Sequence, residues 1–453
     1  MRQDTTAAPP RPPERCSFCA KGRRQVDSLI QGPPGVYICN ECIALCNTIL
    51  MQEKEPTQKP LGDLSLETLP TPATIKAGLD LHVVGQEQAK RILSVAVHNH
   101  YKRLLQPRNE GDDVEIEKSN ILMVGPTGSG KTLLARTLAD MLHVPLAIGD
   151  ATTLTEAGYV GEDVENLLLK LLQASEFDLR KAEMGIIFID EIDKIHSTSQ
   201  NTSITRDVSG QGVQESLLKM MEGTTANVPP QGGRKHPEQT YIHFNTENVL
   251  FICGGTFVGL EEFIRARLGH TSMRIQTNRE QGKAEASHMT AAELRSSRDD
   301  KDVQERNRLR KMVEPEDLVK FGMIPEFIGR LPVISTLDEL DRATLIHVLT
   351  HPRNAITKQF RKLFRMHSHE IEFTPEGLAE IADQAVRRAT GARGLRGIVE
   401  KFMLDAQFEL PGIKEPRRYL VTAEVVAGKK NLLESYAKVQ KLPQAQVPPE
   451  AAA

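Results

Sequence analysis

The run Gly125-Pro126-Thr127-Gly128-Ser129-Gly130-Lys131-Thr132 comes directly after the apolar stretch Ile121–Val124 and leads into the helix-patterned Leu133–Leu142. It satisfies G-x-x-x-x-G-K-[ST] in full, with the strand before it and the helix after it that the pattern requires. The glycines let backbone N–H groups turn inward around phosphate oxygens. Lys131 can then reach the β- and γ-phosphates, and the Thr132 hydroxyl can hold Mg²⁺. The positive end of the helix that opens at Leu133 faces the same phosphates. The expectation is an α/β domain that binds a nucleoside triphosphate.

Composition narrows the rest. The chain of 453 residues has room for two to four domains, each with its own core. With 57 basic against 60 acidic residues the net charge is −3, so no global field draws it to nucleic acid or to a membrane. Aromatics make up 4% and tryptophan is absent, which argues against a base-stacking surface. No apolar run approaches the ~20 residues of a bilayer span. Met1-Arg2-Gln3-Asp4 and the Thr, Ala and Pro residues after it lack the apolar core of a signal peptide, so a cytoplasmic protein is expected.

Four of the six cysteines fall in one short segment, as Cys16-x₂-Cys19 and Cys39-x₂-Cys42. This is the C-x₂-C-x₁₅₋₂₀-C-x₂-C spacing of a zinc site: two turns each present two thiolates and together close a tetrahedron around Zn²⁺. Paired disulfides are the alternative, and a reducing compartment argues against them. A module this small cannot bury enough apolar surface alone, so the metal should supply much of its stability. Cys46 and Cys253 read as core residues.

Residues 1–15 read as a disordered lead-in, 16–50 as the zinc module, 51–70 as a tether, 71–340 as the large α/β domain, 341–430 as a smaller helical domain and 431–453 as a tail. Strands are predicted at Ile121–Val124, Pro145–Ile148, Gly185–Ile189 and Val249–Cys253. Helices are predicted at Gln86–Leu104, Lys131–Leu142, Val164–Ala182 and Val213–Glu222, then at Arg342–Phe364, Pro375–Ala389 and Leu395–Leu410. Short apolar strands alternating with helices indicate a parallel sheet covered on both faces. Gly269–Arg310, rich in charge, Ser and Thr, reads as a surface excursion.

Gly185–Ile189 runs into Asp190 and Glu191. Ligands of open α/β sheets sit at the carboxyl ends of strands, so this acidic pair should face the crevice of Lys131. There Asp190 would hold Mg²⁺ through water, and Glu191 would orient the attacking water. Val84, in Val83-Val84-Gly85-Gln86, could present backbone groups to the base. Arg330, between Gly329 and Leu331-Pro332, could be offered to a neighbouring subunit's γ-phosphate, where charge develops in the transition state. Arg393 opens a helix of the small domain and could reach the nucleotide across the crevice. As isolated arginines, both would more often be surface salt-bridge residues. Gly158-Tyr159-Val160-Gly161 and the basic Gly233-Arg234-Lys235-His236-Pro237 are either functional loops or ordinary solvated turns.

Taken together, the zinc module, Gly125–Thr132, Gly158–Gly161, Asp190–Glu191, Arg206–Gln214, Gly233–Pro237, Ile324–Pro332 and Gly391–Arg396 resemble the ClpX family of AAA+ protein unfoldases over residues 16–425. The resemblance implies an AAA+ P-loop domain with a parallel sheet, a small mostly helical domain after it and a treble-clef-like zinc module before it. It implies a homohexameric ring with ATP between subunits. Tyr159 and Val160 would be the loop that grips a polypeptide. Arg206 and Val208 would belong to a second such loop, and Arg234, Lys235 and His236 to the basic loop at the entrance. Arg330 would act in trans, Arg393 would be the small-domain sensor and Thr256 is a candidate first sensor. Unfolded or tagged proteins would be substrates, adaptors would use the zinc module, and neither nucleic acid nor membrane is implied.

One departure stands out. The family's docking loop for the ClpP peptidase carries an aliphatic-Gly-Phe triplet, and the nearest stretch here is Leu268-Gly269-His270. An imidazole replaces the aromatic anchor, which leaves the peptidase partnership open. A remodelling chaperone that works without a peptidase is therefore the alternative reading.

Overall fold

The computed structural model describes residues 15–23, 25–33, 35–43, 65–106, 116–155, 162–196, 210–229, 241–269, 302–388 and 390–438. The chain divides into two compact units, Met1–Asp63 and Leu64–Ala453.

In the first unit, β1 (Leu29–Gln31) and β2 (Tyr37–Cys39) form an antiparallel hairpin. Cys39 closes β2, and residues 40–43, which include Cys42, are helical. Cys16 and Cys19 lie in the turn bracketed by the Arg15–Gly22 bridge. Only Val26, Leu29 and Ile38 pack around the cysteines among the described residues, so the apolar core is very small.

The second unit is built on a sheet whose central strands are apolar along their length because both faces are covered. Its elements begin with β3 (Ile121–Val124), β4 (Leu146–Asp150), the short parallel pair β5 (Leu154–Thr155) and β6 (Glu162–Asp163), and β7 (Ile186–Asp190). A hairpin of β8 (Thr225–Val228) and β9 (Ile242–Asn245) comes next, then β10 (Leu250–Gly255) and β11 (Val333–Thr336). Five of these make one parallel sheet in the order β11-β3-β10-β7-β4. Alternate residues supply two cores. Ile121, Met123, Ile186, Phe188, Leu250 and Ile252 pack with helices Pro72–Asp80, Glu87–Leu105 and Lys131–Leu142. Leu122, Val124, Ile187, Ile189, Phe251 and Cys253 pack with Asn166–Ala174 and Gln211–Glu222. Cys253 is fully buried, which pushes its thiol pKa up to about 12.

The small domain holds a third core around Leu345, Phe364, Leu395, Met403 and Tyr419. Here β12 (Glu370–Phe373) and β13 (Arg417–Val421) pair in parallel, and β14 (Tyr436–Lys438) pairs antiparallel to β13. The connection to the large domain is brief. Leu337 is buried in the large-domain core, whereas Leu340 packs on the small-domain core. Between them Asp338 exchanges two hydrogen bonds of 2.8 Å with the Gln86 side chain.

Several elements differ from the sequence reading. The helix predicted over Val164–Ala182 breaks into Asn166–Ala174 and Leu179–Ala182. Glu176 and Phe177 adopt φ values of 55° and 62°, and Asp178 caps the second piece. Arg342–Phe364 likewise divides into Arg342–Thr350 and Ile356–Met366. Pro352 cannot continue a helical ladder, and Thr357 bonds the Leu349 carbonyl instead. Residues 302–310, placed in the excursion, are helical and end in Arg310, which is paired with Glu261 at 2.6 Å. The small domain carries a sheet that the charges of Glu370 and Glu372 in β12 and of the adjacent Arg417 and Arg418 in β13 concealed. Its strand β14 lies within the stretch read as tail.

Candidate functional site

The nucleotide crevice is assembled at the carboxyl ends of β3, β7 and β10. The loop Gly125–Gly130 leaves β3, and helix Lys131–Leu142 begins behind Gly130, whose φ of 103° only glycine adopts readily. No acidic residue lies in the first turn of that helix, so its positive end is unopposed by its own side chains. Lys131 is 7% exposed, and its Nζ donates to the carbonyls of Gly125 at 2.7 Å and Pro126 at 3.1 Å. Burial holds its ammonium below the ordinary lysine pKa, against the pull of Asp190 and Asp193. A polyphosphate would relieve that penalty. Leu133, on the outer side of the first turn, is 46% exposed.

Opposite stands the end of β7. Thr132 Oγ1 donates to Asp190 Oδ2 at 3.0 Å, so the hydroxyl and carboxylate that could flank a Mg²⁺ ion already converge. Asp190 Oδ1 accepts the Glu191 N–H at 3.0 Å. Glu191 has φ 56°, a left-handed conformation costly for a residue with a Cβ, and it lies exposed. Two residues on, Asp193 is 2% exposed and accepts both the backbone N–H and the hydroxyl of Thr256 at 2.9 Å. This pair locks the end of β10 to the turn carrying Glu191.

The backbone of the small domain approaches the loop closely. A Cβ on Gly128 would lie 2.8 Å from the Thr390 carbonyl, and one on Gly391 would lie 2.8 Å from the Thr127 carbonyl. Both glycines have positive φ, 78° and 55°. Gly391 begins helix Gly391–Glu409, which places Arg393 in its exposed first turn. Val84 is half-buried, and the adjacent Val83 packs within 3.8 Å of the Cβ position of Gly130.

The four cysteines belong to the first unit. The four Sγ atoms of Cys16, Cys19, Cys39 and Cys42 lie within 4.8 Å of one another. The Cys16–Cys42 and Cys19–Cys39 Sγ separations are 3.8 and 3.6 Å, too long for disulfides. Zinc at ~2.3 Å from four sulfurs puts the sulfurs about 3.8 Å apart, so the set fits Zn²⁺. Backbone N–H groups of Cys39 and Cys42 point at the sulfurs of Cys16 and Cys39, both at 3.4 Å, as suits thiolates.

Three sequence models of known families match in register with these features. One described as the ClpX C4-type zinc finger covers residues 14–52, and one described as AAA domain (Cdc48 subfamily) covers 116–334. A third, the C-terminal D2-small domain of ClpB protein, covers 340–411. The chain is also 50% identical over 411 residues to the ATP-dependent Clp protease ATP-binding subunit ClpX of Treponema denticola, covering 91% of this chain and 93% of that one. This chain belongs to the ClpX family. It has the family's AAA ATPase domain, for which ATP and Mg²⁺ are the cofactors, and its four cysteines are placed for zinc.

Within this ClpX-family chain the structure brings Lys131, Thr132, Asp190 and Glu191 to one crevice. Arg330 lies elsewhere: its side chain is 51% exposed and pairs with Glu222 at 3.0 Å. Tyr159, Val160, Arg206, Val208, Arg234, Lys235 and His236 lie outside the described residues, as do His270–Ile275 of the docking segment. The sequence reading took Gln86 only as part of the backbone segment Val83–Gln86 and missed its side chain, whose buried amide joins the Ser129 carbonyl at 3.4 Å to Asp338. It also missed Asp193 and Asn120, which donates to the Arg330 carbonyl at 3.1 Å. Asp193 stands in the same acidic run as Glu191, which is the one signal that could have found it. No helix among the described residues is long and apolar enough to cross a membrane.

Proposed function

We propose that the chain is an ATP-driven protein unfoldase and translocase that works as a homohexamer. The observation that carries this reading is the crevice of Lys131, Thr132, Asp190 and Glu191 in a chain alike over nearly its whole length to a Clp protease ATP-binding subunit. Lys131 and the loop N–H groups bind the β- and γ-phosphates, Thr132 and Asp190 hold Mg²⁺, and Glu191 directs water at the γ-phosphate. Arg330 serves the nucleotide of the neighbouring subunit. Arg393 and the Gly128–Gly391 contact let the small domain sense the bound phosphates, and Val83-Val84 lines the base side. Tyr159 and Val160 grip the polypeptide by van der Waals contact, while Arg206, Val208 and Arg234–His236 guide it. The zinc module docks substrates or adaptors, and a cytoplasmic setting suits its thiolates.

Delivery into a ClpP-type peptidase is the primary form of this reading. The second form, remodelling without a peptidase, is favoured by His270 standing where the family has an aromatic anchor. Losing such an anchor costs about 2–4 kcal/mol per site, repeated around a ring. Mixing the protein with ATP, a stable tagged substrate and ClpP decides between them. Unfolding with degradation supports the first and unfolding alone the second, while no ATP-dependent unfolding rejects both.

A further inference from the structure

The arginine assigned to the neighbour's nucleotide is held at both ends of its local element by one helix. Arg330 comes right after the five-residue helix Pro325–Gly329. Its Nε and Nη2 both donate to Glu222 Oε1, at 3.3 and 3.0 Å. Glu222 is the last residue of helix Gln211–Glu222. Near the other end of that helix, Gln214 is fully buried, and its Oε1 accepts the N–H of Ile324 at 2.9 Å. Ile324 is the residue that caps Pro325–Gly329. The Gln214 amide also donates to the carbonyl of Ile195 at 2.8 Å. Ile195 ends the turn that begins at Glu191. One rigid rod therefore touches the start of the arginine's helix, the arginine itself and the turn of the proposed water-directing carboxylate.

We propose that Glu222 is a positioning residue for Arg330, setting the direction in which the guanidinium is presented to the adjacent subunit. The inference rests on the reading of Arg330 as acting in trans. The Arg330 backbone is already fixed by Asn120 and by the buried Leu331. What remains loose is a long side chain with several rotatable bonds, and Glu222 restricts that fan. Both partners are about half exposed, so the ion pair adds little to folding stability. Its contribution lies in orientation, where small misplacements of a catalytic group are costly in rate. Stability and turnover should therefore separate cleanly on substitution.

The test compares ATPase kinetics and melting of the full chain with Glu222→Gln, Glu222→Asp, Arg330→Ala and the Glu222→Gln/Arg330→Ala double variant. Glu222→Gln should lower kcat by roughly 3- to 10-fold, with KM for ATP and Tm nearly unchanged. Glu222→Asp, which keeps the charge, should fall between it and the unaltered chain. The double variant should be no slower than Arg330→Ala alone. Unaltered or faster turnover in Glu222→Gln, or additive losses in the double variant, would overturn the positioning role and leave the trans reading standing. Full turnover in Arg330→Ala would remove the trans reading and the proposal with it.

Discussion

At the scale of single residues, the crevice stores conformational cost where chemistry is proposed. Glu191 sits in left-handed backbone, tied through its N–H to Asp190, which fixes the direction in which its side chain leaves the turn. Glu191→Gln keeps that geometry and removes the basic oxygen. It should bind ATP as before while turnover falls by about 100-fold or more, read by equilibrium nucleotide binding beside steady-state hydrolysis. Hydrolysis at the original rate would strip Glu191 of its role. The residues of this crevice were legible because the phosphate-loop pattern and the strand-end acids are local in sequence. Gln86, Asp193 and Glu222 were not, because each acts on a partner tens to hundreds of positions away. The partners are Asp338, Thr256 and Arg330, and no short motif records such a pairing.

Among the elements, β3, β7 and β10 were legible because each carries an unbroken apolar run, the mark of a strand buried on both faces, and the edge strand β4 was legible from its apolar start, Leu146–Ile148. The other edge strand and the small-domain strands carry no such mark. β11 stands behind a proline and ends in Ser335-Thr336, β12 alternates charge with apolar groups, and β13 opens on two adjacent arginines. The helix break at Glu176–Phe177 was hidden by apolar spacing that runs on past it, whereas Pro352 marks the other break in the sequence itself. The contact between Gly128 and Gly391 belongs to this scale, since it joins a loop to the start of a helix. Gly391→Val would drive a Cβ against the Thr127 carbonyl in a backbone conformation that Val resists. It should weaken ATP binding and cost about 1–3 kcal/mol of stability, measured by nucleotide titration and thermal melting. Unchanged values in both would show that the domains do not meet there in solution.

Over the whole molecule, stability is divided among separate cores. The zinc unit has few apolar residues of its own, so chelation should unfold residues 15–43 and leave the melting of the second unit nearly unshifted. Hydrogen exchange resolved along the chain would read both effects, and a protected, metal-free module would refute the dependence on zinc. The second unit has a different division, between the large-domain and small-domain cores, with only residues 339–341 between the Gln86-bound Asp338 and the helix that starts at Arg342. That shortness fixes a gear ratio. A domain of about 100 residues has a radius of gyration of ~13 Å, so its far side lies roughly 30 Å from the pivot. Each 10° of rotation then carries that side about 5 Å, roughly one and a half residues of extended chain. In a threading ring, the length of polypeptide advanced per stroke would thus be set by how far the backbone just after Glu339, whose N–H and carbonyl are both held by Asn307, can turn.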